Sequence, residues 1–391
     1  MDQTPQQYPS EDIATDPAIP PTPSTHQSAP GTARHIFFGP FGLRAGWSLL
    51  LYFLLLGAIL GSLFAIGHGI HVHREHATAA AAAAAGKPAP APETSPFKQE
   101  AGKPLPLAYM ISAEGSLFAL FLFVSWLMAR IEHRKLSAYG LGGSHPISRF
   151  LIGTFWGIAA ISLLILALHQ FHFLAFDARL DHGPRILFWG VLQLIAFLLV
   201  GLTEEYTMRG YLQFTLTRGF VSLGNLLSPR HDGKRARTIA FWVAAVLTSA
   251  LFFYAHTRNP GENWLGLFQV FLAGIVFVVA LWRTGSLWWG IGFHMAWDWG
   301  QSFLYGVPDS GGLEQGRLFA THALGNPLFS GGTVGPEGSV LCVPIFLLTI
   351  VVLFFTHPSP QPPLELPRLP EPQARSFPPS VQDTTSPSAI A

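Results

Sequence analysis

Long apolar stretches, separated by short polar or basic connections, run through most of this chain. They fall at 41–70, 107–129, 150–169, 186 to about 216, 239–256, 264–282, 287–304 and 340–355. About 20 mainly apolar residues suffice for a helix to cross a bilayer. The pattern therefore predicts an all-α, polytopic transmembrane bundle of about eight spans, with the fourth unusually long. The polar intervals have their own character. Residues 71–105 read as a long connection: His68, His71, His73 and His76 at its start, then an alanine tract, then Pro-rich sequence. Residues 306–338 are rich in Gly and Pro. Residues 1–35 and 357–391 are polar and Pro-rich and are expected as disordered tails. The transmembrane domain is then 36–356.

Composition agrees with the pattern. Only 12% of the 391 residues are charged and 49% are hydrophobic, against about 25% charged in soluble chains. The net charge of +1 offers no field for nucleic acid. The single cysteine, Cys342, excludes an internal disulfide. Residues 1–33 hold no apolar signal-peptide core, so the first apolar stretch is expected to be a retained anchor. Basic residues set the expected orientation. Arg130, Arg134, Lys135 and Arg149 lie between spans two and three, and Arg218, Arg230, Lys234, Arg235 and Arg237 between four and five. The loops after spans three, five and seven hold only Arg179 and Arg185, Arg258, and Arg317. Both termini are thus expected in the cytoplasm, in a bacterial inner membrane. The four basic residues after span one are spread along a long connection and are discounted.

Chemistry enters where charge interrupts the apolar pattern. The stretch Thr203-Glu204-Glu205-Tyr206-Thr207-Met208-Arg209-Gly210 puts two carboxylates and a guanidinium into the fourth span. Each ionisable group at membrane depth costs on the order of 2.5–3.5 kcal/mol, so such groups mark function. Glu205 and Arg209 are four apart with the acid first, the favourable helix pairing. Glu204 points about 100° away from them. Downstream, His256 follows Phe252 by one turn at the end of span five, and His294 and Asp298 share a face of span seven among Trp288, Trp289, Trp297 and Trp299. Glu114 interrupts span two and serves either the same interior or an interface.

In lipid these groups should converge on an intramembrane polar cavity. Two chemistries stay open. His256 and His294, with Glu204 or Asp298, can hold a divalent metal such as zinc. Alternatively Glu204 and His256 act as bases on a water, and the imidazole of His294 donates to a developing oxyanion. Each element also has a plainer reading: a structural ion pair for Glu205–Arg209, a helix cap for His256, a buried hydrogen bond for His294–Asp298, a solvated juxtamembrane segment for the His68–His76 cluster. Glu204 and His256 both lie late in their spans. They meet only if span four is long enough to put Glu204 near its middle, with Gly201 and Gly210 letting it bend.

The three motifs Glu204-Glu205-x-x-x-Arg209, Phe252-x-x-x-His256 and His294-x-x-x-Asp298, in this order, resemble the CPBP intramembrane proteases. That family includes the type II CAAX prenyl endopeptidases and the Abi bacteriocin-immunity proteins. Arg209-Gly210-Tyr211-Leu212-Gln213 and Arg283-Thr284-Gly285-Ser286-Leu287 look like the family too. The resemblance covers about 185–305. It implies an endopeptidase acting on a membrane-associated, CAAX-type or otherwise lipid-modified protein or peptide. Glu204 and His256 would activate water, His294 and residue 298 would stabilise the oxyanion, and Glu205 and Arg209 would support them. One departure stands out: the family more typically has Asn where this chain has Asp298, and an aspartate donates a hydrogen bond only when protonated. A non-catalytic scaffold or immunity protein of the same fold, and an ion-coupled transporter, are the alternatives.

Overall fold

The computed structural model describes residues 34–39, 41–86, 106–227, 233–259 and 261–360. The expected tails and the Pro-rich part of the 71–105 connection lie almost wholly outside these residues. A short helix α1 (Arg34–Phe37) and a two-residue hairpin, β1 (Phe38–Gly39) and β2 (Gly42–Leu43), lead into α2 (Ala45–Ala84). Then follow α3 (Leu107–Ile131), α4 (Pro146–Gln170), β3 (Leu174–Arg179) and α5 (Pro184–Glu205). A π-helical stretch, Tyr206–Leu212, joins α5 to α6 (Gln213–Leu227) without a break. The chain continues with α7 (Gly233–Ala255), α8 (Trp264–Thr284) and α9 (Trp288–Trp299). A second π-helical stretch, Gly300–Tyr305, extends α9; β4 (Phe319–Ala323), α10 (Pro327–Ser330) and α11 (Cys342–Thr356) complete the order.

Among the described residues, six helical segments are long and apolar enough to cross a membrane: Ala45–Ala84, Leu107–Ile131, Pro146–Gln170, Pro184–Gly224, Gly233–Arg258 and Trp264–Thr284. The expected count of about eight is not reached. The last two apolar stretches form α9, of 12 residues before its π-helical extension, and α11, of 15. The start of the expected 71–105 connection is also different. Helix α2 runs on through all four histidines and into the alanine tract, because alanine is the strongest helix former and no Pro or Gly interrupts the tract. His71 pairs with Glu75 one turn later, at 3.3 Å, on the exposed helix surface. The bundle departs from pure α in two small sheets. The larger pairs β3 with β4 antiparallel, Leu174 opposite Ala323 and Arg179 opposite Phe319.

Helix α9 is the centre of the bundle. Residues 289–298 are all buried, as expected for a helix that is apolar on every side. Its neighbours approach through glycine. A Cβ on Gly153 or Gly157 of α4 would collide with the carbonyls of Trp289 or Phe293, and one on Gly292 of α9 with the carbonyl of Phe150. Small residues at crossing points let membrane helices pack backbone to backbone. The outer faces carry exposed large apolar side chains such as Phe155, Leu187, Tyr254 and Phe355, as a lipid-facing surface requires.

The two ends of the bundle are tied differently. At one end Arg218 of α6 binds Glu132 (Nη1–Oε2 2.9 Å) and Ser48 of α2 (Nη2–Oγ 2.7 Å). Nearby, Leu287 N donates to Gly140 O and Trp288 Nε1 to Leu141 O. At the other end lie the β3–β4 pair and residues 306–341. There the Gln193 side chain donates to the carbonyl of Gln315 at 2.8 Å, and Trp297 donates to Glu337.

Candidate active site

Glu205 closes α5, and the wider π-helical turn begins at Tyr206. Such turns insert one extra residue into a helix and recur at functional sites. The predicted ion pair is made within this turn. Arg209 Nη1 donates to Glu205 Oε1 at 2.9 Å, and both residues are 1% exposed. The guanidinium carbon sits 4.2 Å from the Phe252 ring centre and 5.1 Å from that of Phe277. Two aromatic faces thus partly replace its lost water. Arg209 Nε and Nη2 have no hydrogen-bond partner.

His294 gathers the carboxylates. Its Nδ1 lies 3.2 Å from Glu205 Oε1; its Nε2 lies 3.6 Å from Glu204 Oε2 and 3.5 Å from Asp298 Oδ2. The 100° that separates Glu204 from the Glu205–Arg209 pair along α5 is spanned by the two edges of one imidazole. Donation from both ring nitrogens requires the imidazolium. Phe277 stacks on the same ring at 4.9 Å and 24°. Glu204 Oε2 is buried and, beyond this contact with His294, makes no hydrogen bond among the described residues.

His256 occupies the 3₁₀ turn that ends α7. Its Nδ1 is 2.8 Å from the carbonyl of Phe252, one of the carbonyls a helix end leaves open. That bond places a proton on Nδ1 and leaves Nε2 as an acceptor. His256 and His294 line one cavity with Phe252, Phe277, Trp297, Ser310 and Glu337. Its volume of about 40 Å³ is room for water. Glu204 is not among the residues lining the cavity and approaches it through His294. Span four is indeed long, Pro184–Gly224, with Glu204 near its middle. Glu114 is beside the site at backbone level: Thr203 Oγ1 donates to its carbonyl at 3.3 Å.

The expected metal set is His256 and His294 with Glu204 or Asp298. Among the described residues, His256, His294 and Glu204 do not form a cluster of converging ligand atoms. The residues that do are Asp298, Asp309 and Glu337, with one oxygen from each within 4.8 Å of the others. Asp309 and Glu337, with the neighbouring Gln301 and Ser310, were not found in the sequence analysis. They lie in or beside a Gly/Pro-rich segment that has no helical period to assign a face. Phe277 was missed for another reason, since nothing distinguishes it from the other apolar residues of α8. Outside the spans, burial and the carboxyls of Glu337 and Glu314 push Asp309 well above the ordinary carboxylate range.

Comparison with known proteins agrees with the motifs. No curated protein and no solved structure matches the chain. The family model described as type II CAAX prenyl endopeptidase Rce1-like matches residues 185–300. That range holds all three motifs and the helices α5 to α9 that carry them, so over these residues this membrane protein is similar to the Rce1-like CPBP proteases that its motifs resemble.

Proposed function

We propose that the chain is an intramembrane endopeptidase that hydrolyses peptide bonds in membrane-associated proteins or peptides, CAAX-type lipid-modified ones among them. The observation that carries this reading is His294, set between three carboxylates at the edge of a water-sized cavity that it shares with His256. Glu204, whose buried Oε2 makes no hydrogen bond among the described residues, takes a proton from the attacking water and passes it to the leaving amine nitrogen as the C–N bond breaks. His256 accepts at Nε2, its Nδ1 proton being held by Phe252. His294, braced from below by Glu205 and Arg209, donates from Nε2 to the oxyanion that forms on the scissile carbonyl. Asp298 orients His294.

We propose further that the protein lies in a bacterial inner membrane with both termini in the cytoplasm. Supporting the orientation, Arg134 and Arg218 both donate to the carbonyl of Phe41 and Arg218 pairs with Glu132, so segments that the basic residues assign to one side meet at one end of the bundle.

The test is peptide release from a membrane proteome, read by mass spectrometry. Cleavages made by the wild type should fall by at least about 100-fold in Glu204→Gln, the scale of a lost general base. Function that persists unchanged in this variant would make the protein a scaffold or immunity protein instead. An ion flux abolished by it would indicate a transporter.

A further inference from the structure

We propose a binding site for a hard divalent cation, of calcium or magnesium type, formed by Asp298, Asp309 and Glu337. Asp298 ends α9, while Asp309 and Glu337 come from the segment between Tyr305 and α11. Their converging oxygens lie within 4.8 Å of one another. Calcium binds oxygens at about 2.3–2.6 Å, so ligands on opposite sides of one ion lie up to about 5 Å apart. The three carboxylates fit one coordination sphere.

A second observation, independent of the acids, points to a ligand there. Gln301 is fully buried, and its amide nitrogen donates to Asp309 Oδ1 at 2.9 Å. The oxygen of that same amide group, Oε1, is buried and has no hydrogen-bond partner among the described residues. A buried acceptor left unsatisfied costs free energy, and an amide oxygen is an ordinary calcium ligand.

The remaining contacts hold the acids in place. Trp297 Nε1 donates to Glu337 Oε1 at 2.9 Å; Ser310 donates to Glu337 Oε2 from its N at 3.2 Å and from its Oγ at 2.8 Å. Such outer donors orient metal-binding carboxylates. Among the described residues no Arg or Lys pairs with the three acids, and only His294 meets Asp298. The donors are all oxygen, the preference of calcium and magnesium rather than zinc. Asp309 and Glu337 fall outside residues 185–300, so this site adds to the segment that the family model covers. A cation there clamps residues 306–341 onto the end of the central helix.

The site is read by binding, so it stands or falls apart from proteolysis. The full chain, purified in detergent and stripped with chelator, is titrated with terbium(III) as a calcium probe and excited through tryptophan. Sensitised emission should appear and be displaced by calcium or by magnesium, the more effective ion naming the class. The same ion at millimolar concentration should raise the melting temperature. Asp309→Asn and Glu337→Gln should each weaken binding at least ten-fold; Gln301→Met, which keeps all three carboxylates, should weaken it less and serves if the others do not fold. His256→Gln should leave binding unchanged. The proposal is overturned if neither ion shifts the melting temperature of the wild type, if binding survives both carboxylate changes, or if it is lost in His256→Gln.

Discussion

The spacing Phe-x-x-x-His has a mechanical reason in this chain. Four residues carry His256 back onto the carbonyl of Phe252, and the ring of that same Phe252 lies under Arg209. One residue therefore sets the tautomer of a base and shelters a buried cation. The buried pair itself makes a prediction. Arg209→Met takes the guanidinium away from buried Glu205 and leaves it only the contact with His294 Nδ1, which should destabilise the protein by about 3–5 kcal/mol. Adding Glu205→Gln should recover much of that loss, read as thermal unfolding in detergent. Another prediction concerns His357, just past α11. Burial, then the charges of Arg149 and Arg283, lower its pKa below the ordinary 6.5. The folded state then binds fewer protons than the unfolded one, so stability present above pH 6.5 is lost as the pH falls through this value. Melting temperatures between pH 7.5 and 5 should fall less steeply in His357→Gln.

At the scale of elements, the helices that carry the chemistry were legible because each has a chemical punctuation mark. Acids and an arginine in an apolar run, and histidines one turn from a partner, are visible without coordinates. The π-helical turns after Glu205 and after Trp299 were not, since no residue type distinguishes an inserted residue inside a helix. The continuation of α2 to Ala84 was misread because a run of histidines looked like a solvated loop. Helix packing supplies a further prediction. Gly292→Leu drives side-chain atoms into the carbonyl of Phe150, and the α4–α9 contact has no room to yield because backbone meets backbone there. It should abolish stable folding or lower the melting temperature sharply. Gly57→Ala, with nothing within 4 Å, should be neutral or gain up to about 1 kcal/mol of helix propensity.

For the molecule as a whole, orientation can be read with one cysteine at a time. Cys342 is buried and is the chain's only thiol. In a Cys342→Ala background, Ser144→Cys should react with reagents confined to the cytoplasmic side and Thr333→Cys with those outside. The reverse result would invert the topology drawn from the basic residues. The acidic cluster joins distant parts of the chain: Asp298 sits in a motif, but its partners arrive from sequence with no motif of its own. The buried position of α9 carries one more consequence, for the order in which a ribosome delivers the chain. Helix α5 with Glu204, and α7 with the turn that carries His256, are made before α9, and α9 packs against α4, α5 and α8 rather than lipid. A nascent chain released before residue 287 lacks His294, so the proposed centre is incomplete in it. Of the helices that carry the proposed catalytic groups, α9 is made last, so the proposed centre stays incomplete until the chain is long enough to supply it.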